Sequence, residues 1–84
     1  MAVILQILGL LLRSYDMYKL ILNQIINKIV GVVRLSDNAS IPFDPANTDY
    51  QAFKKEVLAG AELQDADGNV MTQEQANEFI ASLP

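Results

Sequence analysis

Two prolines three residues apart divide this chain. In Ile41-Pro42-Phe43-Asp44-Pro45, each proline removes a backbone N–H and biases the residue before it away from the helical region. No regular element is therefore expected through Asp44. Before them Ser36-Asp37-Asn38-Ala39-Ser40 ends an apolar run with small polar residues whose side chains bond to nearby backbone, so residues 36–45 read as one loop. Ile41 and Phe43 are expected to anchor it by pointing into the core.

The two sides of this loop differ in charge. Up to Arg34 the chain carries Arg13, Lys19, Lys28 and Arg34 against Asp16 alone, while the remainder holds nine acidic residues against Lys54 and Lys55. With 84 residues, 51% of them apolar, one domain with a packed core is expected, but a chain this short buries a smaller share of its surface than an average domain. Disulfide and metal reinforcement are nearly closed to it, since it has no Cys and no His. Oligomerisation or docking onto a partner is the remaining route.

On the N-terminal side, residues 2–12 are apolar except for Gln6 and Gly9. They fit a signal peptide poorly, with no basic residue before Arg13 and no small-residue cleavage pattern. They fall short of the roughly 20 apolar residues that span a bilayer. A buried or oligomer-forming apolar helix is the reading taken, with membrane contact as the alternative. Met17 also makes a natural start for a compact domain. The chain is accordingly divided into residues 1–16, an apolar helix or extension, and residues 17–84, a small α+β domain.

From Tyr18 to Leu35 two periodicities compete. Arg13, Asp16, Lys19, Asn23, Asn27, Gly31 and Arg34 would line one polar face of a helix. Against this, Ile29-Val30-Gly31-Val32-Val33 is densely β-branched, a composition that favours strands. The reading taken is a β-hairpin of residues 17–22 against 29–35, turned at 23–28, with a continuous amphipathic helix as the alternative.

Beyond the prolines, Thr48 and Gln51 have the spacing of a helix cap and its reciprocal partner. Tyr50, Phe53, Val57 and Leu58 form the apolar stripe of the helix that follows, Lys54, Lys55 and Glu56 face water, and Gly60 supplies the stop. Asp67-Gly68 offers a tight turn across which Leu63 and Val70 would face each other. Thr72 and Gln75 repeat the capping spacing before a last helix striped by Ala76, Phe79, Ile80 and Leu83. The expected fold is thus a small single-domain α+β protein: an N-terminal apolar helix, a β-hairpin, then two short capped helices.

The chemistry offered is sparse. Asp65, Asp67, Gly68, Val70 and Glu74 match part of a calcium-binding EF-hand loop, yet Leu63 stands where the leading Asp belongs and the preceding segment lacks a helix ending at the right place. An Asp-Gly turn is the simpler reading. The carboxylate pairs Asp44 with Asp49 and Asp65 with Asp67 lie in polar segments that give no reason for opposed pKa shifts. Ser36 and Ser40 lack a His to activate them. No catalytic, cofactor-binding or metal-binding residue is assigned, an enzyme is not expected, and no small-molecule substrate is predicted. Nucleic-acid binding is not expected either, because Lys54 and Lys55 are a lone basic pair in an acidic half.

The run Arg34-Leu35-Ser36-Asp37-Asn38-Ala39-Ser40-Ile41-Pro42-Phe43-Asp44-Pro45-Ala46-Asn47-Thr48-Asp49-Tyr50-Gln51-Ala52-Phe53 resembles a segment of short, mostly uncharacterised proteins of tailed bacteriophages. The likeness covers roughly residues 17–58. It implies a lysine-bearing strand, Met17-Tyr18-Lys19-Leu20, with a return strand ahead of the Ile-Pro loop and the Tyr-Gln helix. The family carries no established activity, and residues 1–16 and the apolar Ile25-Ile26 depart from its pattern. The expected role is a phage-encoded accessory or virion-associated protein that works through protein–protein contacts or self-association, in the virion or the host cytoplasm. Leu10 to Leu12 and the cluster Ile25, Ile26 and Ile29 are the candidate contact residues. The alternative is a small membrane-associated protein held by its apolar N-terminal part.

Overall fold

A computed structural model of the protein describes residues 16–84. The elements are strands β1 (Tyr18–Asn23), β2 (Lys28–Arg34) and β3 (Ala39–Pro42), helix α1 (Thr48–Leu58), the short strand β4 (Leu63–Gln64) and helix α2 (Gln73–Ala81). One four-stranded sheet runs in the order β3-β2-β1-β4. The β3–β2 and β2–β1 pairs are antiparallel, whereas β1 and β4 are parallel, with Tyr18 opposite Leu63 and Lys19 opposite Gln64.

This corrects the expected fold. The β1–β2 ribbon is the centre of a mixed sheet instead of a free hairpin set against two helices. The expected N-terminal apolar helix falls at residues 1–16, of which 1–15 lie outside the described residues. Residues 18–23 and 28–34 form strands joined by a turn instead of the alternative amphipathic helix, since stiff β-branched side chains from Ile29 to Val33 pack well on a pleated surface. Asn27 takes φ +54° at the turn between them, a conformation that asparagine tolerates better than most residues.

The loop expected over residues 36–45 contains β3. Pro42 is compatible with a strand here because β3 is a sheet edge and Pro42 is its last residue, where a missing N–H costs least. Asn38, at φ +58°, turns the chain from β2 into β3. Gly31 is required for their approach. A Cβ built on it would lie 2.7 Å from the carbonyl oxygen of Ile41.

Both helices cover one face of the sheet. Strand pleating puts Tyr18, Leu20, Val32 and Ile41 on that face, where they meet Tyr50, Phe53 and Val57 of α1, Ala76 and Ile80 of α2, and Ala61 and Leu63 of the connection. Phe53 sits at the centre, its ring 5.0 Å from that of Tyr18 in an edge-on arrangement and 6.4 Å from that of Phe43. Ile41 is buried, and Phe43, Phe79 and Leu83 are half-buried against this cluster.

Three local expectations are corrected. Asn47, not Thr48, caps α1: its side-chain oxygen accepts from the Tyr50 N–H at 3.0 Å, in keeping with the stronger capping preference of Asn, while Gln51 Nε2 donates to the Pro45 carbonyl. Leu58 is exposed at the end of α1, a third of a turn beyond the stripe that buries Val57. Leu63 and Val70 do not face each other, because Gln64 is the residue that bridges to Val70, leaving Leu63 in the core and Val70 exposed. The capping box of Thr72 with Gln75 is present at α2, and Gly60 follows α1 with φ +117°.

Candidate interaction surface

Among the described residues, the β1–β2 ribbon leaves large apolar side chains in water. At its tip Asn23 organises the turn, accepting from the Ile25 N–H at 3.0 Å and the Ile26 N–H at 3.4 Å through its side-chain oxygen. Those bonds hold the backbone while the side chains of Ile25 and Ile26 project outward, 94% and 54% exposed. Leu22, at 38%, extends this patch down the strand. Ile29, grouped with them on sequence, instead packs half-buried against the core. It lies opposite Leu22, beside the register shift that leaves Val30 unpaired. Leu10 to Leu12 lie outside the described residues.

A second apolar region lies on the outer face of the sheet, opposite the helices. The register places Lys19, Val33 and Ser40 in one cross-strand row there, and Ile21, Gly31 and Pro42 in the next. With no side chain on Gly31, the second row has a shallow depression of about 220 Å³, lined by Ile21, Val30, Gly31, Ser40, Ile41 and Pro42. Residue-level reading of the sequence overlooked this face. The available signal was a break in alternation, since Ile21 and Val33 are apolar at positions that should be polar on a wet face.

The residues considered for chemistry are scattered over the fold, and Asp44, Asp49 and Asp65 are occupied by hydrogen bonds. Asp65 accepts from the backbone N–H groups of Asp67 and Asn69, each at 2.9 Å, and these bonds, that from Asn69 foremost, hold its carboxyl below the usual carboxylate range. Asp44 accepts from the Ala46 N–H, whereas Asp49 faces Arg34. Among the described residues no group of three or more acidic side chains is placed to hold a metal ion. Ser36 and Ser40 are exposed. The lysine pair divides: Lys55 is exposed, while Lys54 Nζ lies 4.5 Å above the Tyr50 ring and donates to the Pro84 carbonyl oxygen at 2.9 Å.

Electrostatics separate the two ends of the ribbon. At the β2–β3 turn the Arg34 guanidinium donates to both Asp37 carboxylate oxygens, at 3.1 and 2.9 Å, and to Asp49 at 3.3 Å. These hydrogen bonds raise the Arg34 pKa, and the bond from Arg34 is the main reason that of Asp37 is lowered. Beneath the sheet the Tyr18 hydroxyl donates to Glu56 at 2.9 Å. Burial, then that bond and the Glu56 charge, push the Tyr18 phenol far above its ordinary value. Glu56 thus serves the core instead of facing water. Between Met17 and Ser36 the ribbon carries Lys19, Lys28 and Arg34 and no acidic residue.

No family model, curated protein or solved structure matches this chain. Among the described residues no helix is long and apolar enough to cross a membrane.

Proposed function

We propose that this chain is a bacteriophage-encoded accessory or virion-associated protein that docks onto another protein, or onto a second copy of itself, through the tip of its β1–β2 ribbon. The observation that carries this reading is the exposure of Ile25 and Ile26 side by side on a turn whose geometry is supplied by asparagines. Nothing in the turn requires apolar side chains there, and water contact with two isoleucines is unfavourable by about 25 cal/mol per Å² of apolar surface. A partner that buries them recovers that free energy. The phage assignment rests on the likeness of residues 34–53 to short tailed-phage proteins, and a location in the virion or the host cytoplasm is proposed with it.

The test is an Ile25→Ser, Ile26→Ser double variant. Both positions are exposed, so its melting temperature should match that of the parent. Purified particles of the encoding phage should contain the parent chain and lack the variant. Particles that contain neither chain would refute the virion reading, and particles that contain both equally would refute docking through the ribbon tip.

Membrane association is the second reading, favoured by the placement of Lys28 beside this apolar tip in a ribbon without acidic residues. Co-sedimentation of the parent, but not of the double variant, with anionic vesicles would select it over protein docking.

A further inference from the structure

We infer that a second copy of this chain adds as an antiparallel strand to the free edge of β1, from Leu20 to Asn23. This names the partner for the docking proposed at the ribbon tip and rests on that reading. The first observation is where the backbone groups of β1 point. The Met17 carbonyl accepts from the Leu35 N–H on the β2 side, whereas the Tyr18 N–H donates to the Glu62 carbonyl on the β4 side. Backbone groups alternate sides along a strand, so those of Leu20 and Leu22 face away from β2, as those of Tyr18 do. The irregularity in the ribbon leaves this alternation unbroken, because its extra residue, Val30, lies on β2. β4 pairs with this edge at Tyr18 and Lys19 and stops at Gln64. Among the described residues no strand pairs with the edge beyond it. Exposed edges are normally blunted by proline or by charge. β3 ends on Pro42, and Gln64 of β4 is bridged by Val70, but Leu20-Ile21-Leu22-Asn23 contains neither proline nor charge.

The second observation selects the occupant. Two copies of β1 related by a two-fold axis exchange N–H···O bonds between residues whose groups face outward, which are Leu20 and Leu22. Setting either of these from one copy against Leu20 of the other would lay the incoming strand on Tyr18 or Lys19, where β4 already sits. Leu22 against the partner's Leu22 is the register that remains. Turning one copy about that axis directs its ribbon tip, where Lys28 lies opposite Asn23, toward the partner's β4. Charge is complementary there. The ribbon has Lys19 and Lys28 and no acidic residue, while Glu62, Asp65 and Asp67 flank β4 and no basic residue follows Lys55. A second copy thus brings opposite charge to both ends of the joint, which an arbitrary strand would not.

Because the chain has no cysteine, Leu22→Cys in the full-length protein supplies one thiol per copy. The Cα atoms of a hydrogen-bonded antiparallel pair stand about 5.5 Å apart, within the span of a disulfide. Mild oxidation should therefore join Leu22→Cys into covalent dimers several-fold faster than Leu58→Cys, whose position on α1 is exposed. Leu22→Pro deletes the outward N–H and spares the β2 ladder, which the odd-numbered residues carry. In sedimentation it should run as a monomer at concentrations where the parent runs as a dimer. A parent that stays monomeric at about 1 mM would overturn the inference and leave docking of the tip onto a different protein standing. Equal cross-linking at the two cysteine positions would overturn it as well. So would a dimeric Leu22→Pro chain, and should the Ile25→Ser, Ile26→Ser change then make that chain monomeric, the tip and not the edge would be what joins the copies.

Discussion

Replacing Gly31 by Ala adds a single methyl group at φ values that alanine tolerates, so its effect isolates one steric contact. The new Cβ would lie 2.7 Å from the Ile41 carbonyl oxygen and 3.6 Å from its carbon, and relief requires β3 to move away from β2 by several tenths of an ångström. The obstacle is backbone, which cannot rotate aside as a side chain can. Overpacking of this kind costs about 1–3 kcal/mol, while the reduced freedom of the unfolded chain returns about 0.4–1 kcal/mol. A net loss of about 1–2 kcal/mol is expected. It is capped by the alternative of releasing β3, which would expose Ile41, now 2% accessible, at about 2–3 kcal/mol. Urea denaturation gives the loss directly, and amide exchange shows whether it is local to Val32 and Val33, whose partners are Ile41 and Ser40. Val33→Ala, on the same strand and outer face, is the control for a merely apolar change. Stability within about 0.5 kcal/mol of the parent for Gly31→Ala, the range of an inconsequential surface substitution, would show that β2 and β3 do not approach so closely at Gly31 and refute the reasoning.

Phe53→Ala removes the ring that packs against Tyr18, Phe43 and Tyr50 at the centre of the core; a loss of about 3–5 kcal/mol is expected, enough that calorimetry should find little or no cooperative transition at 37 °C in a domain this small. Thr72→Ala deletes one half of the capping box at α2 and should cost about 1 kcal/mol, read as a lower urea midpoint with an unchanged slope. The pH dependence follows from Tyr18 and Tyr50, whose phenols are raised, that of Tyr18 by burial first and by Glu56 next and that of Tyr50 by burial. A raised phenol leaves stability intact below the unfolded tyrosine pKa near 10. Above it the unfolded chain loses protons that the fold retains, so stability falls as pH rises. Absorbance at 295 nm should therefore show these two tyrosines ionising only together with unfolding. Ionisation of all three tyrosines near pH 10 with the far-ultraviolet spectrum unchanged would contradict the buried Tyr18–Glu56 contact.

Local chemistry was readable from the residues alone. The Thr72 and Gln75 spacing, the Gly60 stop and the strand character of Ile29 to Val33 depend on groups within a few positions of one another, and backbone sterics and short-range hydrogen bonding act at that range. The cap of α1 shows the limit of even this reading, because Asn47 and Thr48 compete for one role and the backbone of Asn47, at φ −85° and ψ 123°, decides it.

What required the tertiary structure is everything that joins distant segments. β3 is a strand because β2 offers it an edge, although Pro42 argues against one locally. β4 is only two residues long, too short to carry a period, and exists because Tyr18 and Lys19 lie beside it in parallel. Leu63 is core and Val70 is exposed for the same reason, and Glu56 is drawn inward by the Tyr18 hydroxyl 38 positions away. Composition told that this chain has more apolar residues than a small domain easily hides. Which of them stay in water, Ile25 and Ile26 at the tip rather than Ile29, is set by the pairing register and by the single face that the helices cover, since burial is a property of the assembled layers and not of any residue in its own sequence neighbourhood.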